Sequence, residues 1–221
     1  MKNVLDFLTK LSANNNREWF ADNKKEFETA KQEFEHLVGE VIAAVGQWDA
    51  DVRALAPKDC VYRIYRDVRF SKDKIPYKTS MGALIGKGGR KAVGTINYLH
   101  VEPSKSFAAG GFYMPDSPSL KAIRQEIDYN LAEFEGILNN KAFKDAFGSI
   151  DSEMKLKTLP KGYAADNPAI EYLKLKSFTV SRYFTDKEVL GKNFVGEVEK
   201  SFGLIKPLNT FLGRAKGADA K

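Results

Sequence analysis

One cysteine and two histidines are all the thiol and imidazole side chains that this 221-residue chain carries. With Cys60 alone no internal disulfide forms, which suits a reducing compartment. Cys60 follows Asp59 at the start of an apolar run. It reads either as a small core residue or as a reactive thiol, and the sequence sets no catalytic base beside it. His36 lies in a helical pattern. His100 shares one face of an alternating pattern with Glu102, which is too little for a metal site. A Ser-His-Asp arrangement through His100 lacks a nucleophile elbow. No apolar run approaches the length of a membrane span. The N-terminal apolar pattern is broken by Asp6 and Lys10, with no cleavage site behind it, so it is not a secretory signal. The expectation is a soluble cytoplasmic protein with no bound metal.

What the chain does have is a concentrated positive charge. The segment 57–91 holds ten cations against three acids, in a chain whose net charge is +6. The remainder is therefore close to neutral. A field gathered in one segment points to an anionic partner there.

Hydrophobic spacing gives the organisation. Residues 3–12 predict a short helix with Val4, Leu5, Leu8 and Leu11 on one side. Residues 16–46 predict one long helix, with Asn15 as its cap and Glu18 reaching back. Val61–Phe70 predicts a strand on which Arg66 falls among the apolar side chains, so the strand ends or bulges there, or Arg66 is buried and paired. The glycines between 80 and 94 predict a mobile loop. Val93–Glu102 and Lys105–Met114 predict a hairpin, Ser117 and Pro118 a helix start, and Lys174–Tyr183 a last strand. Asp186 is expected to cap a final long helix that Pro207 kinks or ends. No linker or repeat divides the chain. The fold class expected is α+β: one domain over 1–213, an antiparallel or mixed sheet with long N- and C-terminal helices, and a disordered tail at 214–221.

The candidate anion-binding residues are Arg63, Arg66, Arg69, Lys72, Lys74 and Lys78, with Arg124 and Lys176 as contributors. Arg and Lys supply the donors that phosphate and carboxylate oxygens need. Asp67 and Asp73 are candidates for a general base, or they orient the cations. Tyr77 is a candidate acid, a hydroxyl donor or a stacking surface. The alternative is an ion-pair network that fixes the chain locally. Gly86-Lys87-Gly88-Gly89-Arg90-Lys91 matches neither a Walker pattern nor a dinucleotide fingerprint.

Two runs make a wider pattern: Asn14-Asn15-x-Arg17-Glu18-Trp19-Phe20, and Arg63-Ile64-Tyr65-Arg66-Asp67-Val68-Arg69-Phe70-Ser71-Lys72-Asp73-Lys74-x-Pro76-Tyr77-Lys78. Gly110-Gly111-x-Tyr113-x-Pro115, Ile123-Arg124-x-x-Ile127, Leu159-Pro160-Lys161-Gly162 and Lys176-Ser177-Phe178 follow. Together they resemble the domain of unknown function 2461 family over nearly the whole chain. The resemblance implies a soluble, largely bacterial protein and carries over no reaction, cofactor or catalytic residue. Asn167 stands where the family form leads one to expect histidine.

Three functions follow from these residues. The first is binding, with or without catalysis, of a phosphorylated or carboxylated small molecule. The second is nucleic-acid binding with Tyr62, Tyr65, Phe70 and Tyr77 as stacking partners. The third is an interaction or scaffold domain whose charge cluster only stabilises the fold.

Overall fold

In a computed structural model, which describes residues 1–215, the chain opens with α1 (Lys2–Ala13). Its apolar positions Val4, Leu5, Phe7, Leu8 and Leu11 are all buried. The first turn has no side-chain cap of its own. Glu33 serves instead, accepting from the N-terminal ammonium at 2.6 Å and from the Val4 amide at 3.1 Å, which places an anion at the positive end of the helix.

The helix expected over 16–46 is two helices, α2 (Arg17–Asp22) and α3 (Lys24–Val45). Asn23 separates them, and its side-chain amide donates to the Trp19 carbonyl at 2.8 Å. Such side-chain bonding to nearby backbone competes with helix continuation. Asn16, not Asn15, caps α2, accepting from the Trp19 amide at 2.9 Å. Two short turns follow, α4 (Ala50–Arg53) and α5 (Pro57–Cys60).

Val61–Phe70 is not a strand. The segment pairs with 76–83 through isolated bridges only, Val61 with Ala83 and Tyr65 with Tyr77. Three backbone bonds tie it: Tyr62 N–H to Gly82 O at 2.9 Å, Lys78 N–H to Ile64 O at 2.8 Å and Arg66 N–H to Pro76 O at 2.9 Å. Regular pairing fails for two reasons. Pro76 has no N–H to give, and the Asp67 and Asp73 carboxylates capture the Arg69 and Ile75 amides at 3.3 and 2.9 Å, which folds the backbone into turns.

The expected glycine loop at 80–94 begins instead with a strand, β1 (Met81–Leu84), and continues into a tight turn at Gly89–Lys91. Gly88 has φ of +88°, a conformation glycine adopts without strain. β2 (Ile96–Val101) and β3 (Ser106–Phe112) follow as expected. Next come α6 (Ser117–Tyr129), capped by Asp116 rather than Ser117, then α7 (Leu131–Leu138), α8 (Lys141–Phe147) and α9 (Ile170–Leu173). β4 (Phe178–Phe184) precedes α10 (Asp186–Val189) and α11 (Phe194–Arg214). Thr185, not Asp186, caps α10 in a capping box with Glu188. Asp186 instead accepts from the Ser104 amide at 2.8 Å. α11 runs through Pro207 without ending. Its buried stripe of Phe202, Ile205, Leu208, Phe211 and Leu212 lies on both sides of the proline and offsets the lost hydrogen bond. Of the tail expected at 214–221, Arg214 closes α11 and Ala215 is buried, while residues 216–221 lie outside the described residues.

The fold is α+β, with a four-stranded antiparallel sheet in the order β1-β2-β3-β4. β1 and β2 pair with Gly82 opposite His100 and Leu84 opposite Tyr98. Along β2 burial alternates: Asn97, Leu99 and Val101 are buried, while Tyr98 and His100 face the other way and keep some solvent contact. Packing divides the chain into two compact units. Met1–Ala92, Tyr98–Ala108 and Tyr183–Lys200 form the first; Val93–Asn97, Ala109–Arg182 and the described residues from Ser201 to Ala215 form the second. In the first unit Phe7, Trp19, Phe20 and Phe27 make an aromatic cluster on which the Tyr77 ring stacks, 4.0 Å from Phe20 at 11°. In the second, Phe134 packs on Tyr172 and Phe211, each at 5.2 Å. No helix of the described residues is long and apolar enough to cross a membrane.

Candidate functional site

The basic segment in the first unit is partly self-satisfied. Arg69 grips Asp67 with two bonds, Nε at 2.9 Å and Nη2 at 2.6 Å. Arg66 donates to Asp73 at 2.8 Å and to the Ile75 carbonyl at 3.2 Å. Lys74 donates to the Val68 carbonyl at 3.0 Å. These three cations and two carboxylates build the loop between Arg66 and Pro76. The Arg69 side chain holds the Asp67 carboxyl below its ordinary range, and the Ile75 amide, then Arg66, does the same for Asp73. Both stay ionised with their oxygens engaged. Tyr77 is buried, and burial raises its phenol above the ordinary value. Asn15 clamps the backbone there: its amide donates to the Tyr77 carbonyl at 3.0 Å and its carbonyl accepts from the Tyr77 amide at 3.1 Å.

Arg63 and Lys72 are exposed. Lys78 differs from its neighbours. It is half-buried, with Nζ 5.4 Å from the centroid of the Tyr62 ring. Burial, and then the like charge of Arg63, push its ammonium below the ordinary lysine value. Among the described residues no carboxylate forms an ion pair with it. Phe70 is 95% exposed and lies beside the Arg69 guanidinium, 5.8 Å from ring centroid to Cζ. The Cys60 thiol is buried and raised to about 11, chiefly by burial and then by Asp59, which disfavours the thiolate that nucleophilic work needs.

Next to Lys78 in sequence, Thr79 donates to Glu102 at 3.1 Å. Glu102 Oε2 lies 3.1 Å from His100 Nε2, and His100 Nδ1 lies 3.3 Å from the Tyr98 hydroxyl. The carboxylate only accepts, so Nε2 carries a proton toward Glu102, while Nδ1 pairs with the Tyr98 hydroxyl. Burial pushes the Tyr98 phenol up to about 12, helped by Tyr62 and Glu102. Tyr98 Oη would lie 2.2 Å from a Cβ on Gly82, so any larger residue at that position of β1 would push the tip of the Tyr98 ring aside. The sharing of one strand face by His100 and Glu102 was legible in the alternation. Tyr98 falls on that same face, whereas Phe107 in β3 and Tyr183 in β4 need the strand order to be found.

Arg124 and Lys176 belong to the second unit. Arg124 Nη2 donates to the Leu175 carbonyl at 3.3 Å, and its Nε is buried without a hydrogen-bond partner. Burial lowers its pKa, with Tyr163 opposing. Lys176 is exposed. Asn167, at the position where histidine was expected, donates to Asp128 at 2.6 Å and accepts from the Ala169 amide at 2.7 Å. It joins α6 to the start of α9. Among the described residues no cluster of three or more His, Cys, Asp or Glu is placed to hold a metal ion.

Comparison with known proteins gives one match. The family model described as "Conserved hypothetical protein (DUF2461)" covers residues 3–211. No curated protein and no solved structure matches the chain.

Proposed function

The chain belongs to the DUF2461 family, whose description names no activity, and from its geometry we propose that it binds a phosphorylated or carboxylated small molecule through Lys78 and Arg63 in the first unit. The observation that carries this reading is the state of Lys78. A half-buried ammonium set against a second cation, with an aromatic ring but no carboxylate for company, costs stability in the free protein. An oxyanion seated between Lys78 and Arg63 removes that cost. Arg66, Arg69 and Lys74 act differently: they hold the loop in shape with Asp67 and Asp73. Lys72 extends the positive field outward. Asp67, Asp73 and Tyr77 receive no chemical step in this reading, because the two carboxylates are held by donors and the phenol ring is packed on Phe20.

Calorimetric titration with inorganic phosphate tests it. Lys78→Met should weaken phosphate binding by at least about tenfold, the size of one charge-assisted hydrogen bond. The surface variant Lys141→Met, in α8 and paired with Asp145, should bind as the parent does. Equal affinity in the parent and Lys78→Met, or no phosphate binding by the parent, contradicts the proposal.

A further inference from the structure

Phe70 has no task in the core or in the anion site. Its ring is 95% exposed, and among the described residues it meets only the Arg69 guanidinium, 5.8 Å from its centroid. A phenylalanine left in water forgoes the burial that such rings ordinarily gain. Ile75, in the same loop, is 43% exposed. Cations surround the two. Arg63, Arg69, Lys72 and Lys74 are exposed, and residues 63–78 hold six cations against two acids. Arg69 engages Asp67 through Nε and Nη2, which leaves Nη1 unbonded among the described residues. The loop also meets its own backbone needs. Asp67 accepts from the Arg69 amide and Asp73 from the Ile75 amide, while Lys74 donates to the Val68 carbonyl and Arg66 to the Ile75 carbonyl. A backbone whose polar groups are met by nearby side chains loses little on approach to a medium that offers no hydrogen bonds.

We infer that this loop docks on the surface of an anionic lipid bilayer. Phe70 and the edge of Ile75 enter the boundary between headgroups and acyl chains, and Arg63, Arg69, Lys72 and Lys74 lie against the lipid phosphates. The loop rests on the bilayer and does not span it. The charge is complementary. The positive excess of the chain lies in one segment, so a negative surface attracts that segment and orients the molecule. One apolar anchor or one basic patch alone binds a membrane weakly, and the two together hold it. A protein partner would need apolar surface around the ring, and the charged residues Asp67, Arg69, Lys72 and Asp73 stand there instead. A nucleic-acid strand would need further rings for successive bases, and the second apolar group here is aliphatic. The inference stands apart from the Lys78 reading, because neither Phe70 nor Ile75 belongs to that site.

Co-sedimentation with vesicles tests it. The full chain should bind vesicles of equal parts phosphatidylserine and phosphatidylcholine at least about tenfold more tightly than vesicles of phosphatidylcholine alone, as several cations near an anionic surface require. Phe70→Ser should weaken binding to the anionic vesicles by about tenfold or more, the contribution of one buried ring. Phe70→Trp should bind as the parent does, and its emission should move to the blue on vesicle addition by more than that of Trp19 and Trp48 in the parent. Lys72→Gln should weaken binding several-fold. Position 70 is exposed, so Phe70→Ser should fold, and bind inorganic phosphate, as the parent does. No preference of the parent for anionic vesicles, or equal vesicle binding by Phe70→Ser, overturns the inference. A free chain that sediments as a dimer, and that Phe70→Ser returns to monomer, overturns it by seating the ring on a second copy. Binding of a single-stranded oligonucleotide that depends on Phe70, without vesicle binding, overturns it by making the ring a base stack. None of these outcomes decides the Lys78 site, which phosphate titration does.

Discussion

Gly111→Ala is expected to leave the protein unfolded or destabilised by on the order of 4 kcal/mol. Gly111 lies in β3 with φ of +121°, where an L side chain is strained. A Cβ there would sit 2.0 Å from the Phe178 carbonyl oxygen and 2.9 Å from the Thr179 Cα. Both are backbone atoms of β4, so no side-chain rotation makes room, and the two strands would have to part. Gly136→Ala in α7 is the contrasting case. Nothing lies within 4 Å of its Cβ position, and alanine in a helix should add about 1 kcal/mol. Urea denaturation of both variants checks the pair. A Gly111→Ala protein within about 1 kcal/mol of the parent would show that the β3–β4 approach is not as close as described.

Asn15→Ala should cost about 2–3 kcal/mol, because it strips partners from two partly buried backbone groups at once. One amide side chain gives to the Tyr77 carbonyl and takes from the Tyr77 N–H, as a neighbouring strand would. The cost has a functional side. Tyr77 precedes Lys78, so loosening its backbone frees the ammonium that the binding proposal places. Denaturant midpoints report the stability, and hydrogen exchange at the Tyr77 amide reports the clamp. That amide should lose protection in Asn15→Ala while α3 amides such as that of Phe34 keep theirs. Unchanged exchange at Tyr77 would mean that the contact with Asn15 contributes nothing.

The stripes of α1 and α11 and the positions of β2 and β3 are legible in hydrophobic spacing, because each presents one apolar face to a core. The segment 61–70 misleads for an identifiable reason. Its alternation of aromatic and charged residues is that of a strand, but two aspartates three residues either side of Phe70 turn the backbone by capturing its amides. Gly82 misleads in the opposite direction. Glycine marks loops when read alone, yet here it lies in β1 beneath the tip of the Tyr98 ring. In the site, the density of cations was legible from composition. Which of them are spent on internal pairs was not, since Arg66 and Asp73 are brought together by the turn and not by any regular period. The meeting of Tyr98, Phe107 and Tyr183 was out of reach as well, because they become neighbours only once strand order is known.

The ionisation of Lys78 ties these strands of evidence together. Its folded-state pKa lies below the unfolded one. Burial therefore opposes folding at neutral pH, where both states are protonated, and that opposition fades as pH rises through the folded pKa. A bound phosphate should reverse the shift. The decisive measurement is the NMR titration of the Lys78 side chain, assigned by its loss in Lys78→Met, without phosphate and then with phosphate at saturation. An ammonium that titrates below the ordinary lysine value and moves upward on phosphate addition is the predicted result. One that titrates as a solvent-exposed lysine, or that does not respond to phosphate, would contradict an anion site at this residue.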